Sequence, residues 1–348
     1  MGTDQTTNLP VQVGATLEAK LSFLQRPDAY PEATAHVEAV ETHMSWVFLT
    51  DAHAYKLKKP VRYPYLDFSS VEARRLDSEE ELRLNRRLAA DVYLDVIPLV
   101  LATDGRLSLG GGGEPVDWLV KMRRLPAERM LDHLIRSGAV QQAQIRQLSQ
   151  RLARFYAAAA VQSITPEAYR QYLAERIEEN RRELVSPEFG LATDLPKLLT
   201  RSQLGFLQTH AALFDSRVQQ GRIVEGHGDL RPEHVCLLPE PVVIDCLEFN
   251  RRFRILDPAD ELGYLALECE RLHAPEAGRW LLEGYMEASG DAPPVALLHF
   301  YQSCRAVLRA KLAIWHLRDD GRHRRNKWVE LTRDYLELAQ QHAKLAGN

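Results

Sequence analysis

Between residues 128 and 344 the apolar positions recur at helical spacing. The runs 128–136, 140–162, 166–184, 200–219, 259–273, 276–288, 294–317 and 325–344 each predict a helix. One interval breaks that rhythm. VCLL at 235–238 and VVID at 242–245 are β-rich, and Pro239, Glu240 and Pro241 between them predict a hairpin turn. Folding about Glu240 sets Asp245 opposite Val235 and beside His234. The upstream third alternates instead. WVFLT at 46–50, a turn at 51–53 and AYKLKK from 54 predict a second hairpin, on which the period of two puts Ala54, Lys56 and Lys58 on one face. Residues 69–94 open on candidate N-cap serines and carry Leu76, Leu84 and Leu88 at helical spacing, predicting one amphipathic helix.

The pattern divides the chain into a helical or loosely ordered leader (1–35), a β-rich segment with one main helix (36–122) and a mostly helical segment (123–348), an α+β organisation. Four glycines at 110–113 lie between LSL and the strand DWLVKM. No GK[ST] follows them, so they read as a flexible strand connection, and no Walker-type phosphate loop occurs elsewhere.

Composition narrows the picture only a little. With 348 residues, 45% hydrophobic and 26% charged, the chain has ordinary globular composition and length for about two domains. A net charge of −4 gives no overall positive field, so neither a nucleic-acid partner nor a membrane surface is expected. The run Arg322, His323, Arg324, Arg325 and Lys327 reads as a solvated connection between helices. Cys236, Cys246, Cys269 and Cys304 show no CxxC spacing and read as buried reduced thiols, which points to the cytoplasm. The opening MGTDQTTNLP lacks the apolar core of a signal peptide, and no apolar run of about 18 residues could span a bilayer. Gly2 and Thr6 formally match a myristoylation pattern, but anchoring is not expected. Composition leaves the oligomeric state open.

The chemistry concentrates in HGDLRPEHV, 227–235, and in Asp245. Phosphoryl transfer to a hydroxyl needs one carboxylate to orient the acceptor and take its proton, and a second to hold the divalent cation on the phosphates. Asp229 and Asp245 suit those two roles. The alternative reading of HGD is a turn with a buried histidine.

These residues resemble the protein-kinase loop HRDLxxxxN and, more closely, the HGDxxxxN loop of the aminoglycoside phosphotransferase family. The resemblance spans roughly residues 40–320. It implies a bilobal protein-kinase-like fold and an ATP-dependent transfer of phosphate to a hydroxyl of a small molecule. It further implies that Asp229 is the catalytic base, that Arg231 lies near the transferred phosphate and that Asp245 is the metal ligand. His234 stands where the family has asparagine. Imidazole suits hard Mg²⁺ less well than an amide oxygen, which leaves Mn²⁺ open beside Mg²⁺, with Glu248 as a further oxygen ligand. HAYK at 53–56 aligns with VAIK, placing Ala54 against adenine and Lys56 on the α- and β-phosphates, with Lys58 the competing lysine. The helix near 80 takes the place of the kinase helix whose glutamate braces that lysine: Glu81, or Glu80. Val120 to Met122 fall at the hinge that offers main-chain groups to adenine. No glycine-rich loop precedes WVFLT; amides of Thr42 to Ser45, with the Ser45 hydroxyl, are the substitute phosphate cradle. An aspartate opening the helix near 260 supports the catalytic loop in the family, suggesting Asp260 with Asp257 nearer the site; N-capping explains both equally well. Alternatives to a kinase are a nucleotide-binding pseudoenzyme and a nucleotidyltransferase. A protein kinase is disfavoured, because no activation segment fits between Asp245 and that helix.

Overall fold

The computed structural model describes residues 15–63, 66–319 and 325–347. The Gly2 and Thr6 motif, the first fourteen residues of the leader and Arg322, His323 and Arg324 of the basic run lie outside the described residues. The chain divides into two compact units between Leu125 and Pro126.

The first unit begins with α1 (Leu17–Leu24) and the strands β1 (Glu38–Glu41), β2 (Ser45–Leu49), β3 (His53–Lys58), β4 (Arg62–Tyr63) and β5 (Leu66–Asp67). It continues through α2 (Val71–Ala89), β6 (Tyr93–Leu101), β7 (Leu107–Leu109) and β8 (Glu114–Arg123). An antiparallel six-stranded sheet runs β1-β2-β3-β8-β6-β7. Alternation along β3 sorts its side chains as the sequence predicts. Tyr55 and Leu57 enter a core with Phe48, Leu99 and Leu119, and α1 adds Leu24 to it. Ala54, Lys56 and Lys58 take the other face.

Ser70 caps α2 by accepting the Ala73 amide at 3.1 Å. The helix ends at Ala89, and Tyr93 and Leu94 open β6 rather than extending the helix as the leucine spacing suggested. Leu84 and Leu88 are buried but Leu76 is 53% exposed, so the buried stripe starts later than predicted. The 110–113 glycines do join two strands. Gly113 has φ 153°, and a Cβ there would lie 2.8 Å from the Leu101 carbonyl oxygen.

The second unit is helical: α3 (Leu131–Arg136), α4 (Gln142–Ala158), α5 (Pro166–Leu184), α6 (Asp194–Thr209), α7 (Ala211–Gln219), α8 (Pro258–Arg271), α9 (Pro275–Ser289), α10 (Val295–Asp319) and α11 (Arg325–Ala346). Where one helix over 200–219 was expected, α6 starts at Asp194 and the path breaks at His210. Pro196 is tolerated because the first turn of a helix leaves its N–H groups unpaired anyway. α10 threads two cores, giving Phe300 and Tyr301 to one and Ala306, Ala310 and Ile314 to the other. Among the described residues no helix is long and apolar enough to cross a membrane.

Two short pairs interrupt the helices: β9 (Val224–Glu225) with β12 (Ile255–Leu256), and β10 (Val235–Cys236) with β11 (Val242–Val243). The expected register of the second pair is corrected by two residues, since Val235 faces Val243 and not Asp245. Leu237 donates its amide to the Arg129 carbonyl and Leu238 folds back onto Cys236, so β10 stops early and the turn centres on Pro239.

Candidate active site

In the first unit, Glu81 lies wholly buried on α2 and receives two lysines: Lys56 Nζ at 2.9 Å and Lys58 Nζ at 2.6 Å. Glu80 pairs outward with Arg83 and Glu79 with Arg75. Lys58, the competing lysine, is buried. Its side chain is 1% exposed, it binds Asp77 at 2.7 Å as well as Glu81, and it lies over the Phe68 ring. Lys56 keeps 14% of its side chain exposed. Two residues apart on one face, the lysines share a carboxylate, yet only Lys56 retains appreciable access to solvent.

Two expectations change here. Val120 and Met122 lie on β8, which pairs with β3 on one side and β6 on the other. Lys56 faces Val120 and Ala54 faces Met122, so these residues line the lysine-bearing face, but their main-chain groups are enclosed in ladders. β8 ends at Arg123, and the Arg124 amide is still engaged, by the Ala52 carbonyl. The phosphate cradle at 42–45 is likewise reduced: the turn engages itself, Thr42 donating its amide to the Ser45 carbonyl and Ser45 donating its amide to Thr42 Oγ1, and Ser45 is 3% exposed.

In the second unit, the loop between β9 and β10 carries HGD. His227 is buried, its Nε2 lies 2.9 Å from the Ile244 carbonyl, and its pKa is pushed down to about 3 by burial and then by neighbouring His234. The ring is therefore neutral and structural. Asp229 Oδ1 accepts the Tyr264 hydroxyl at 3.2 Å and Oδ2 accepts Arg231 Nε at 3.1 Å. Burial alone would raise this carboxyl; Arg231, His234 and Arg309 outweigh it and hold it well below the usual range. Asp229 is thus a firm carboxylate.

His234 Nδ1 lies 2.8 Å from the Asp229 carbonyl, which can only accept, so Nδ1 carries the proton and Nε2 presents a lone pair. That lone pair receives Arg231 Nη2 at 3.0 Å, with Asp245 Oδ2 3.4 Å away. Asp245 adopts φ 61°, a left-handed conformation that aspartate tolerates better than most side chains. Among the described residues no three His, Cys, Asp or Glu side chains form a metal cluster. A pair suffices for Mg²⁺, which takes one or two protein ligands and completes its shell with phosphates and water; the half-exposed Asp245 carboxylate fits that demand better than the imidazole.

The residue that holds the loop is one the sequence reading passed over. Glu261, on α8, accepts the amide of His227 at 3.0 Å, the amide of Gly228 and the Tyr156 hydroxyl at 2.7 Å. A Cβ on Gly226 would lie 2.7 Å from its Oε2, so glycine there permits the approach. Asp257 is the N-cap, accepting the Ala259 amide at 2.9 Å while binding Arg217 through both oxygens. Asp260 acts indirectly: it binds Arg305, whose guanidinium lies over the Tyr264 ring. The spacing 257, 260, 261, 264 puts all four on one helix face, and that was the available signal. The four cysteines form no disulfide, and Cys236, Cys246 and Cys269 are buried.

Comparison with known proteins identifies a family and a fold. The model of the phosphotransferase enzyme family matches residues 64–299. An uncharacterised protein of Mycobacterium tuberculosis is 33% identical over 289 residues, 82% of this chain and 56% of that protein, and an uncharacterised Mycobacterium bovis protein matches equally. The chain spans about half the length of these curated relatives. In structure, choline kinase from Cryptosporidium parvum superposes with a TM-score of 0.56 at 10% identity, covering 93% of this chain and 94% of that one. A choline/ethanolamine kinase family protein from Mesorhizobium loti gives 0.53 at 13% identity, covering 92% and 99%. These likenesses establish a kinase-like fold.

Proposed function

This chain belongs to the phosphotransferase enzyme family, and we propose that it transfers the γ-phosphate of ATP directly to a hydroxyl of a small molecule. The observation that carries the reading is the setting of Asp229: one oxygen faces Tyr264, the other faces Arg231, and the loop beneath is clamped by Glu261. Asp229 orients the acceptor hydroxyl and receives its proton. Because its cationic neighbours make it a weak base, the proton moves late, as the acceptor oxygen bonds to phosphorus, and orientation is its larger contribution. Arg231 offers positive charge to the transferred group.

Lys56, buttressed by Glu81, binds the α- and β-phosphate oxygens, and Ala54 packs against the adenine. Asp245, with His234 beside it, would hold Mg²⁺ or Mn²⁺, which neutralises phosphate charge when bound. The stretch from 246 to the start of α8 is short and holds only a helical turn (Arg251–Arg254) and β12, leaving no activation segment for a polypeptide acceptor. Four cysteines outside any disulfide, three of them buried, favour a cytoplasmic setting.

The test is transfer from γ-labelled ATP into pools of small hydroxyl compounds with Mg²⁺ or Mn²⁺. We expect cation-dependent labelling that falls about 10² to 10⁴-fold in Asp229→Asn. Labelling from the α-position instead, or transfer indifferent to that substitution, overturns the reading. One observation favours a second reading, a nucleotide-binding protein without turnover: Arg231 Nη2 occupies the lone pair of His234 in the place of the family's asparagine. That reading predicts nucleotide binding with no labelled product.

A further inference from the structure

The helical unit contains a cavity of about 480 Å³ bordered by α4, α9, the residues after α7 and the start of α8. That size falls within the roughly 300–1,000 Å³ of small-molecule sites. None of its lining residues lies in 227–245. Its walls mix apolar and polar surface, Ala153, Tyr156, Val224 and Tyr285 beside Gln150 and Ser289, while Arg154 and Arg222 border it and no carboxylate lines it.

Arg222 is the telling group. Its Nε is buried and faces the Asp291 carboxylate at ion-pair distance, 3.8 Å, so the exposed 35% of its side chain is what borders the cavity. Asp291 is already held by Arg217 and by the Tyr285 hydroxyl.

Tyr156 connects this cavity to the loop. It lines the cavity, and its hydroxyl donates to Glu261 Oε2 at 2.7 Å, the same carboxylate that holds the amides of His227 and Gly228. We infer that the cavity binds a small molecule with one anionic group on an apolar body, and that its occupancy is transmitted through Tyr156 and Glu261 to the loop bearing Asp229. The anion accepts from the guanidinium groups of Arg222 and Arg154; the apolar body packs on Ala153, Val224 and the tyrosine rings. Ordering the Tyr156 ring steadies its hydroxyl on Glu261, and the loop amides follow. Only an effect on phosphate transfer rests on the function proposed above; binding and the response of the loop do not.

Anilinonaphthalene sulfonate, an anion on an aromatic body, serves as the probe, titrated by fluorescence into the full chain with and without ATP. One saturable site that ATP does not displace is expected. Arg222→Gln should weaken it roughly tenfold, the loss of a charge-assisted hydrogen bond, and Ala288→Trp on the cavity rim at least as much. Hydrogen exchange of the peptide containing His227 and Gly228 should slow with probe in the wild type but not in Tyr156→Phe, which still binds it. Displacement by ATP, or wild-type affinity in both cavity variants, overturns the site. Unchanged loop exchange at saturation overturns the coupling. Intact probe binding in a protein that transfers no phosphate counts against the proposed function alone.

Discussion

Glu261 accepts the main-chain amides of His227 and Gly228 together, from a side chain with no solvent exposure. The two residues before Asp229 therefore hang from one buried carboxylate, and the loop is placed by α8 rather than by its own turn chemistry.

Glu261→Gln keeps the size of this support but replaces one acceptor oxygen with a donor aimed at N–H groups. Urea unfolding should show a loss of about 1–3 kcal/mol, and exchange of the His227 and Gly228 amides should accelerate. Stability and exchange both at wild-type levels would contradict the role given to this carboxylate.

Lys56 and Lys58 should separate by readout. Lys58→Ala leaves Asp77 and Glu81 buried with too little positive charge and should lose about 3–5 kcal/mol of stability. Lys56→Ala removes the partly exposed lysine while Lys58 still serves Glu81, at a loss of roughly 1 kcal/mol. Nucleotide affinity, measured calorimetrically, should fall mainly in the Lys56 variant.

Asp245 combines a left-handed backbone with the cation role proposed for it. Asp245→Asn preserves the tolerance for φ 61° and should melt near the wild-type temperature, while the Mg²⁺ concentration needed for half-maximal transfer rises. Asp245→Ala should lose about 1 kcal/mol in addition, because alanine adopts this conformation less readily.

His227 sets a pH dependence. Its pKa is about 3 in the fold, against 6.5 ordinarily, because burial and the adjacent His234 oppose its charge. Between those values the unfolded chain binds the proton and the folded chain does not, so stability falls as pH drops from about 6.5 toward 3. The loss should be on the order of a few kcal/mol. His227→Gln, which keeps a donor toward the Ile244 carbonyl, should flatten that slope in unfolding measured across pH.

Much of this protein was legible in the chain because the signals were local. Helical periodicity located α4, α5 and α8 to α11 within a few residues, and alternation put Lys56 and Lys58 on a common face of a hairpin that pairs Leu49 with Ala54. The spacing of HGDLRPEHV and Asp245 identified the residues that gather around His234.

What the chain left undecided depends on contacts between distant segments. The period of two cannot say which lysine stays near solvent; α2 decides it by burying Asp77 and Glu81 over Lys58. Turn residues suggested a hairpin about Glu240, but the Arg129 carbonyl drew away the Leu237 amide and shifted the register. Val120 and Met122 read as a hinge until β6 paired with their strand from the far side. Residue type and spacing along the chain therefore singled out the groups proposed for the chemistry, whereas packing across the chain decided which are buried, which are neutralised and which hold the loop, since desolvation and hydrogen-bond competition act through space.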